Sequence, residues 1–188
     1  LGSGQGGRGG DGNQTGGDHG LRRALGDRCV SKATLAINAG GAATVKTTGA
    51  TTYTVDGIFY SKAALAAQTI AVTHNQLGLP VSGASASGPG AYVQPASTTV
   101  HYVVALNSAG TVAVVQGGYN GQAVTLPGGI VSTSKGEVPV VPSGYAPIGV
   151  MKVVLGATTF TPGTTLLDAA NVTVTYTDIS LLPATTAL

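Results

Sequence analysis

Apolar and polar residues alternate with a period of two along most of the chain from residue 34 onward, as in strands with one buried face. The clearest case is "TVHYVVALNSAGTVAVVQGG", in which the alternation continues across an Asn-Ser-Ala-Gly turn. The residues expected to share the buried face are Val100, Tyr102, Val104, Leu106, Val112 and Val114. The pattern therefore predicts a β-hairpin.

The stretch "NVTVTYTDIS" near the C-terminus shows the same alternation. Its inward side chains are predicted to be Val172, Val174 and Tyr176, and its outward ones Thr173, Thr175 and Thr177. This composition is typical of a strand that packs one face on a core and exposes the other.

The first half of the chain contains two further turn signals, Asn38–Gly41 and Asp56-Gly57. Asp-Gly between apolar alternations is a strong hairpin signal. Strands recur about every 8–12 residues with Gly and Pro between them, which is typical of an all-β fold. We therefore expect an antiparallel β-sandwich or a jelly-roll-like barrel. One short helix is predicted over "SKAALAAQ", residues 61–68, with Ser61 as its N-cap.

Three prolines surround the start of the predicted strand "IGVMKVVLG". Pro139 and Pro142 precede the strand, where a missing backbone donor costs little, and "SGYA" is expected to form a turn. Pro147 is placed at the first strand position, which a sheet tolerates. Gly149 would allow a bulge or a close backbone approach. The prolines are therefore interpreted as a rigid segment that fixes strand register.

The N-terminal part differs in composition, and we divide the chain into an arm, residues 1–33, and a β domain, residues 34–188. Half of the first twenty residues are glycine, which is typical of a flexible coil. The basic cluster that follows consists of Arg22, Arg23, Arg28 and Lys32. Two interpretations remain open: an extended arm that docks on an acidic protein surface or phosphate, or a solvated turn of helix.

Charge and cysteine content limit the function classes. Charged residues make up 9% of the chain, against about 25% in typical domains. A net charge of +2 does not favour a nucleic-acid binder, and no apolar run approaches the roughly 20 residues of a membrane span. The single cysteine, Cys29, allows no internal disulfide and is interpreted as a small buried or semi-buried thiol.

The sequence contains no recognisable catalytic or metal-binding constellation. Its seven carboxylates are scattered, and its three histidines lie far apart without the spacing of zinc ligands. His101 falls between two apolar residues of a predicted strand, so it should face away from the core as a surface or interface histidine. We therefore predict no enzyme activity, no cofactor and no metal.

The segment "VPVVPSGYAPIGVMKVVLGATTFTPGTTLLDAANVTVTYTDIS" resembles the C-terminal part of virion structural proteins of tailed bacteriophages. The upstream stretches "YTVDGIFYSKAALAAQTIAVT" and "HYVVALNSAGTVAVVQG" are similar to companion segments of such proteins. The resemblance covers roughly residues 51–180, and it does not include the glycine-rich arm.

This resemblance implies a non-enzymatic particle component, a decoration or cement protein on the capsid exterior of the virion. Its partners would be the major capsid protein and further copies of itself, with a trimer as the expected homo-oligomer, and neither nucleic acid nor a membrane. Weakly charged faces of small residues suit such packing, since an unpaired charge at an interface is costly. The alternative is a receptor- or glycan-binding module of a tail fibre or spike, which would use exposed aromatic side chains.

Overall fold

The computed structural model describes residues 26–81, 92–119, 124–126, 130–132 and 137–181. The described strands are β1 (Arg28–Cys29), β2 (Leu35–Ile37), β3 (Thr44–Thr47), β4 (Thr51–Val55), β5 (Ile58–Lys62), β6 (Gln68–Thr69), β7 (Thr99–Asn107), β8 (Val112–Gln116), β9 (Val124–Leu126), β10 (Ile130–Ser132), β11 (Tyr145–Leu155) and β12 (Val172–Asp178). These ranges contain no helix, and all strand pairs are antiparallel.

The largest described sheet has four strands in the order β12-β11-β7-β8. The hairpin predicted from residues 99–116 is confirmed, because β7 and β8 pair across the turn. The Asn107 side chain holds that turn by accepting hydrogen bonds from the N–H groups of Ala109, at 3.0 Å, and Thr111, at 2.9 Å. The alternation predicted for β12 is also confirmed: its threonines are exposed, while its valines and Tyr176 are half-buried.

Two three-stranded sheets, β1-β4-β5 and β2-β3-β6, and the two-stranded pair β9-β10 complete the described architecture. Both predicted turns of the first half are present. Asp56 and Gly57 connect β4 to β5 with φ angles of 51° and 74°, the left-handed values of a type I′ hairpin turn. Gly41, with a φ of 74°, lies in the turn between β2 and β3.

The core lies where the four-stranded sheet faces the two three-stranded sheets. Every second residue of β7, from Val100 to Leu106, contributes to it, as the sequence pattern predicted. The other sheets add Leu35, Val45 and Tyr53. One hydrophobic cluster thus includes strands of three sheets, which confirms the antiparallel all-β class and agrees with a β-sandwich.

The short helix predicted over residues 61–68 is wrong. Ser61 and Lys62 end β5, residues 63–66 are irregular, and Gln68 begins β6. Leu65 N–H donates to Thr47 Oγ1 at 2.9 Å, and Leu65 C=O accepts from Thr47 N–H at 3.1 Å. Because these bonds occupy the backbone groups that a helix would need, tertiary pairing overrides the helix propensity of the alanines.

The proline-rich stretch is confirmed as the segment before a long strand, with one correction. The Ser143–Gly144 turn precedes β11, and Tyr145 N–H donates to Pro142 O at 3.3 Å. Pro147 is the third residue of β11 and not the first. The register against β7 shifts between Pro147 and Gly149, so a bulge accommodates the missing proline donor inside the sheet.

Gly149 makes the close approach that the sequence suggested. A Cβ at this position would lie 2.9 Å from Leu35 Cδ2 and 3.2 Å from Thr177 O. The absence of a side chain therefore lets Leu35 pack directly onto β11, and the core-forming strand β2 meets the four-stranded sheet there.

A buried polar network connects two residues of the four-stranded sheet, Tyr102 and Gln116, with Gln94 and Tyr119 beside it. The Tyr102 hydroxyl donates to Gln94 Oε1 and accepts from Gln116 Nε2, both at 3.2 Å. Gln116 Nε2 also contacts the Tyr119 hydroxyl at 3.3 Å. Burial raises the pKa of Tyr102 well above its usual value and that of Tyr119 to about 12. Both hydroxyls therefore stay neutral and act only as hydrogen-bonding groups.

We expect the folded state to lose stability at alkaline pH. Burial, with a smaller contribution from Asp178, raises the pKa of the Cys29 thiol from 9.0 to about 11, and burial raises that of Tyr176 to about 12. A group with a raised folded pKa contributes its full stability below its unfolded pKa. That contribution is lost as the pH rises through the pKa of the folded state. The loss of stability should therefore begin near pH 9 and continue to about pH 12.

Chemical denaturation measured at intervals across this window checks the expectation. The Cys29→Ala variant is the matched control. Between pH 9 and pH 11 its free energy of unfolding should fall less steeply than that of the wild-type protein, whatever its stability at neutral pH. An identical slope in both proteins would contradict the assignment to Cys29.

Candidate interaction surface

Two histidines, His74 and His101, lie within the described residues. No group of three His, Cys, Asp or Glu side chains in those ranges could hold a metal ion. His74 is buried, its Nδ1 lies 2.9 Å from Thr73 Oγ1, and its ring packs edge-on against Tyr145. Burial lowers the pKa of His74, which favours its neutral form. Its surroundings are those of a structural histidine.

His101 lies on β7 opposite Lys152 of β11 and is half-buried. It does not belong to the buried core cluster, so the expectation that it faces away from the apolar face agrees with the structure. His101 and His74 are carried by separate segments, β7 and the stretch after β6.

The predicted basic cluster lies only partly within the described residues. Arg22 and Arg23 lie outside them. Arg28 is the first residue of β1, opposite Thr54 of β4. Lys32 forms a salt bridge of 3.7 Å with Asp178, which also accepts a 2.8 Å hydrogen bond from Leu35 N–H. The described part of the cluster is thus fixed against β2, β4 and β12.

Residues 26–33 pack tightly on the sheets. Cys29, interpreted from the sequence as a small buried thiol, is buried, and Leu181 N–H donates to its carbonyl oxygen at 3.1 Å. Asp27 joins two turns, since its carboxylate accepts from Asp56 N–H at 2.7 Å and from Gly144 N–H at 3.1 Å. Any truncation designed to remove the arm without disturbing these contacts must stop before Gly26.

A surface patch of four large aliphatic side chains is the most distinctive exposed feature of the described chain. Leu77 and Leu79 belong to the turn after His74, and Val138 and Val140 to the segment before β11. All four are between 56% and 60% exposed. We call these four residues the aliphatic patch. Exposed apolar side chains on neighbouring segments commonly mark an interaction site.

Backbone contacts hold the two halves of the aliphatic patch together. Val140 N–H donates to Gln76 O at 3.2 Å. Gly78 has a φ of 74°, and a Cβ there would lie 3.2 Å from Val140 O and 3.4 Å from Pro142 Cα. The glycine therefore permits both the left-handed turn and the close approach of the second segment.

A groove of about 240 Å³ runs between the two segments. Its lining includes Leu77, Val138, Val140 and the buried Pro139, and Gln76, Glu137 and Gly118 complete the wall. This composition favours a partner that inserts an apolar side chain into the groove and leaves polar groups at its rim.

Sequence reasoning identified the proline-rich stretch but not the aliphatic patch. A local signal was present: in "VPV" and in "LGL" two aliphatic residues flank a proline or a glycine, which are typical of surface turns and loops. What the sequence did not show was that the two pairs meet, since 58 or more residues separate them along the chain.

The chain matches no protein-family model, no curated protein and no solved structure. Within the ranges that the structure describes, no helix has the length and hydropathy needed to cross a membrane. The features of the described chain that bear on function are the aliphatic patch, the low charge and the sheet geometry.

Proposed function

We propose that the protein is a non-enzymatic structural component of a bacteriophage particle that binds the capsid surface as a decoration or cement protein. The aliphatic patch is the observation that carries this proposal. Well-exposed aliphatic side chains on two segments that are hydrogen-bonded to each other cost free energy in water, and a protein partner that covers them recovers it. The major capsid protein is the proposed partner and the capsid exterior the proposed location.

The low charge of the chain supports a packing role. Only 9% of its residues are charged, and within the described ranges Glu137 is the one charged residue that lines the groove. A weakly charged surface can be desolvated against a neighbour at low cost. On a lattice, many such contacts act together, so each contact can be weak.

The burial of the aromatic side chains gives less support to the glycan-binding alternative. Tyr53, Tyr102 and Tyr119 are buried, and Phe160 is fully enclosed. These side chains are not available to stack on a sugar ring. Among the large hydrophobic side chains of the described residues that are exposed, Phe59 is the one aromatic.

Replacing Leu77 and Val140 together with serine should strongly weaken binding to capsids assembled from the major capsid protein of the same genome. Burying a Leu or Val side chain contributes about 1.5–3 kcal/mol, so losing two should weaken binding by at least about a hundredfold. Co-sedimentation of the purified protein with capsids, titrated to saturation, measures the change.

Leu166→Ser is the matched control, because Leu166 is also exposed but lies in the loop between β11 and β12. Both variants should keep the thermal midpoint of the wild-type protein. If the wild-type protein fails to associate with capsids, the proposal is wrong.

Truncation of residues 1–25 in the same assay tests the proposed arm with Arg22 and Arg23, whose binding contribution should weaken as salt rises.

A further inference from the structure

Strand β12 forms one edge of the four-stranded sheet, and among the described strands it pairs only with β11. Ile179 N–H donates to Ile148 O, and Gly156 N–H donates to Asn171 O. Together with the register, these bonds place the odd-numbered residues of β12 in the hydrogen-bonded pairs with β11. The N–H and C=O groups of the even-numbered residues therefore point to the outer edge.

The turn before β12 confirms that the N–H groups of even-numbered residues point away from β11, because Val172 N–H donates to Ala169 O of that turn at 3.0 Å. No described backbone group bonds the outward N–H and C=O groups of Val174 and Tyr176. After β12 the chain turns toward β1, where Leu181 N–H donates to Cys29 O. The described chain thus leaves the central part of this edge available.

The edge also lacks the features that natural proteins use to block strand addition. Residues 172–178, "VTVTYTD", contain no lysine, arginine or proline, and their register with β11 is regular. The one charge, Asp178, accepts from Leu35 N–H and pairs with Lys32. A seven-residue edge without bulge, proline or lysine is a template for pairing with another strand.

We propose that two copies of this chain associate through antiparallel pairing of their β12 strands about a two-fold axis at Thr175. In this register Val174 of one copy pairs with Tyr176 of the other through the outward backbone groups. Thr175 then faces its own counterpart in a pair without hydrogen bonds, and Thr173 faces Thr177. The two four-stranded sheets become one eight-stranded sheet.

A second copy of the chain is the partner that binds this edge, because the edge is complementary to itself. In the antiparallel register each Asp178 lies opposite Val172 of the partner, so the two carboxylates stand at opposite ends of the interface. A parallel arrangement would place them side by side, where like charges repel. Threonines would face threonines on the exposed face, and the half-buried valines and tyrosines would cover one another on the other face.

This inference does not depend on the proposed virion role, and it predicts a dimer in place of the trimer that the resemblance implies. Sedimentation velocity of the full chain over a range of concentrations should show a species of twice the 18.3 kDa chain mass. Thr175→Lys should raise the dimer dissociation constant about tenfold or more, since two lysines would meet at the axis. Thr164→Lys, at an exposed loop position, should leave it unchanged.

Cross-linking tests the register directly. The Cα atoms of a directly opposed pair without hydrogen bonds lie about 4.5 Å apart, within the range that a disulfide bridges. Thr175→Cys should therefore form a covalent dimer on mild oxidation, and Thr164→Cys should not. The proposal is overturned if the protein is a monomer at every concentration or a trimer. It is also overturned by a dimer that Thr175→Lys leaves intact and that Thr175→Cys fails to cross-link.

Discussion

Replacing Gln94 with alanine should lower the free energy of unfolding by about 3 kcal/mol. The Gln94 side chain is fully buried, and its Nε2 donates to Thr98 O at 3.1 Å and to Val153 O at 3.0 Å. Its Oε1 accepts from the Tyr102 hydroxyl. Truncation leaves two carbonyl oxygens and a hydroxyl without this partner in the core and creates a cavity beside them.

Urea denaturation of the purified variant measures the loss, and Gln68→Ala is the matched control. Gln68 Nε2 donates only to the adjacent Thr69 O at an exposed site, so its removal should change stability by no more than about 0.5 kcal/mol. Tyr102→Phe should fall between the two, because it removes one hydroxyl and no cavity-sized group. A Gln94→Ala protein as stable as the Gln68 control would show that the network contributes nothing to folding.

Replacing Gly117 with alanine should lower the free energy of unfolding by about 3 kcal/mol, because the new methyl group meets backbone on two sides. A Cβ at Gly117 would lie 2.6 Å from Glu137 O and 2.8 Å from His101 O. Gly117 N–H also donates to that His101 oxygen at 2.8 Å, so the residue cannot move away without breaking the end of the sheet. Neither obstacle is a flexible side chain.

Gly49→Ala is the matched control for this substitution. A Cβ at Gly49 would meet no atom within 4 Å, and Gly49 does not have a positive φ. Alanine there should be neutral or stabilising by up to about 1 kcal/mol, since it restricts the unfolded chain. Thermal and urea denaturation of both variants give the comparison, and equal stabilities would contradict the packing argument.

The Gly117 substitution also bears on the aliphatic patch. The carbonyl of Glu137 precedes Val138, and Pro139 Cδ would lie 3.3 Å from the methyl group of an alanine at position 117. A shift of this segment would displace Val138 and Val140 from Leu77 and Leu79. If the patch binds the capsid as proposed, Gly117→Ala should weaken that binding even where the folded protein is recovered intact.

Local patterns were sufficient where period-two alternation marks the core-facing residues of a strand or where the turn residues are distinctive. The face of β7 from Val100 to Leu106 and the exposed threonines of β12 followed from period-two alternation. The Asp56-Gly57 turn followed from the φ angles that a two-residue hairpin requires. In each case neighbouring residues contain the physical cause, so the sequence alone predicts it.

Local patterns failed where distant partners decide the outcome. The alanines of residues 61–68 favour a helix, but both backbone polar groups of Leu65 bond to Thr47. Pro147 was expected at the start of a strand, but pairing with β7 extends β11 back to Tyr145 and places the proline at a bulge. Both errors arise because backbone pairing with distant segments overrides local preference.

By itself, the sequence determined the all-β class, the faces of its longest strands, the positions of their turns and the absence of a recognisable catalytic motif. These properties depend on side-chain periodicity and on the backbone preferences of single residues. Only the tertiary structure decided that Leu77 lines one groove with Val138 and Val140, and that β12 is the edge of its sheet among the described strands. An interaction surface and a sheet edge are relations between distant segments, so folding is needed to create them.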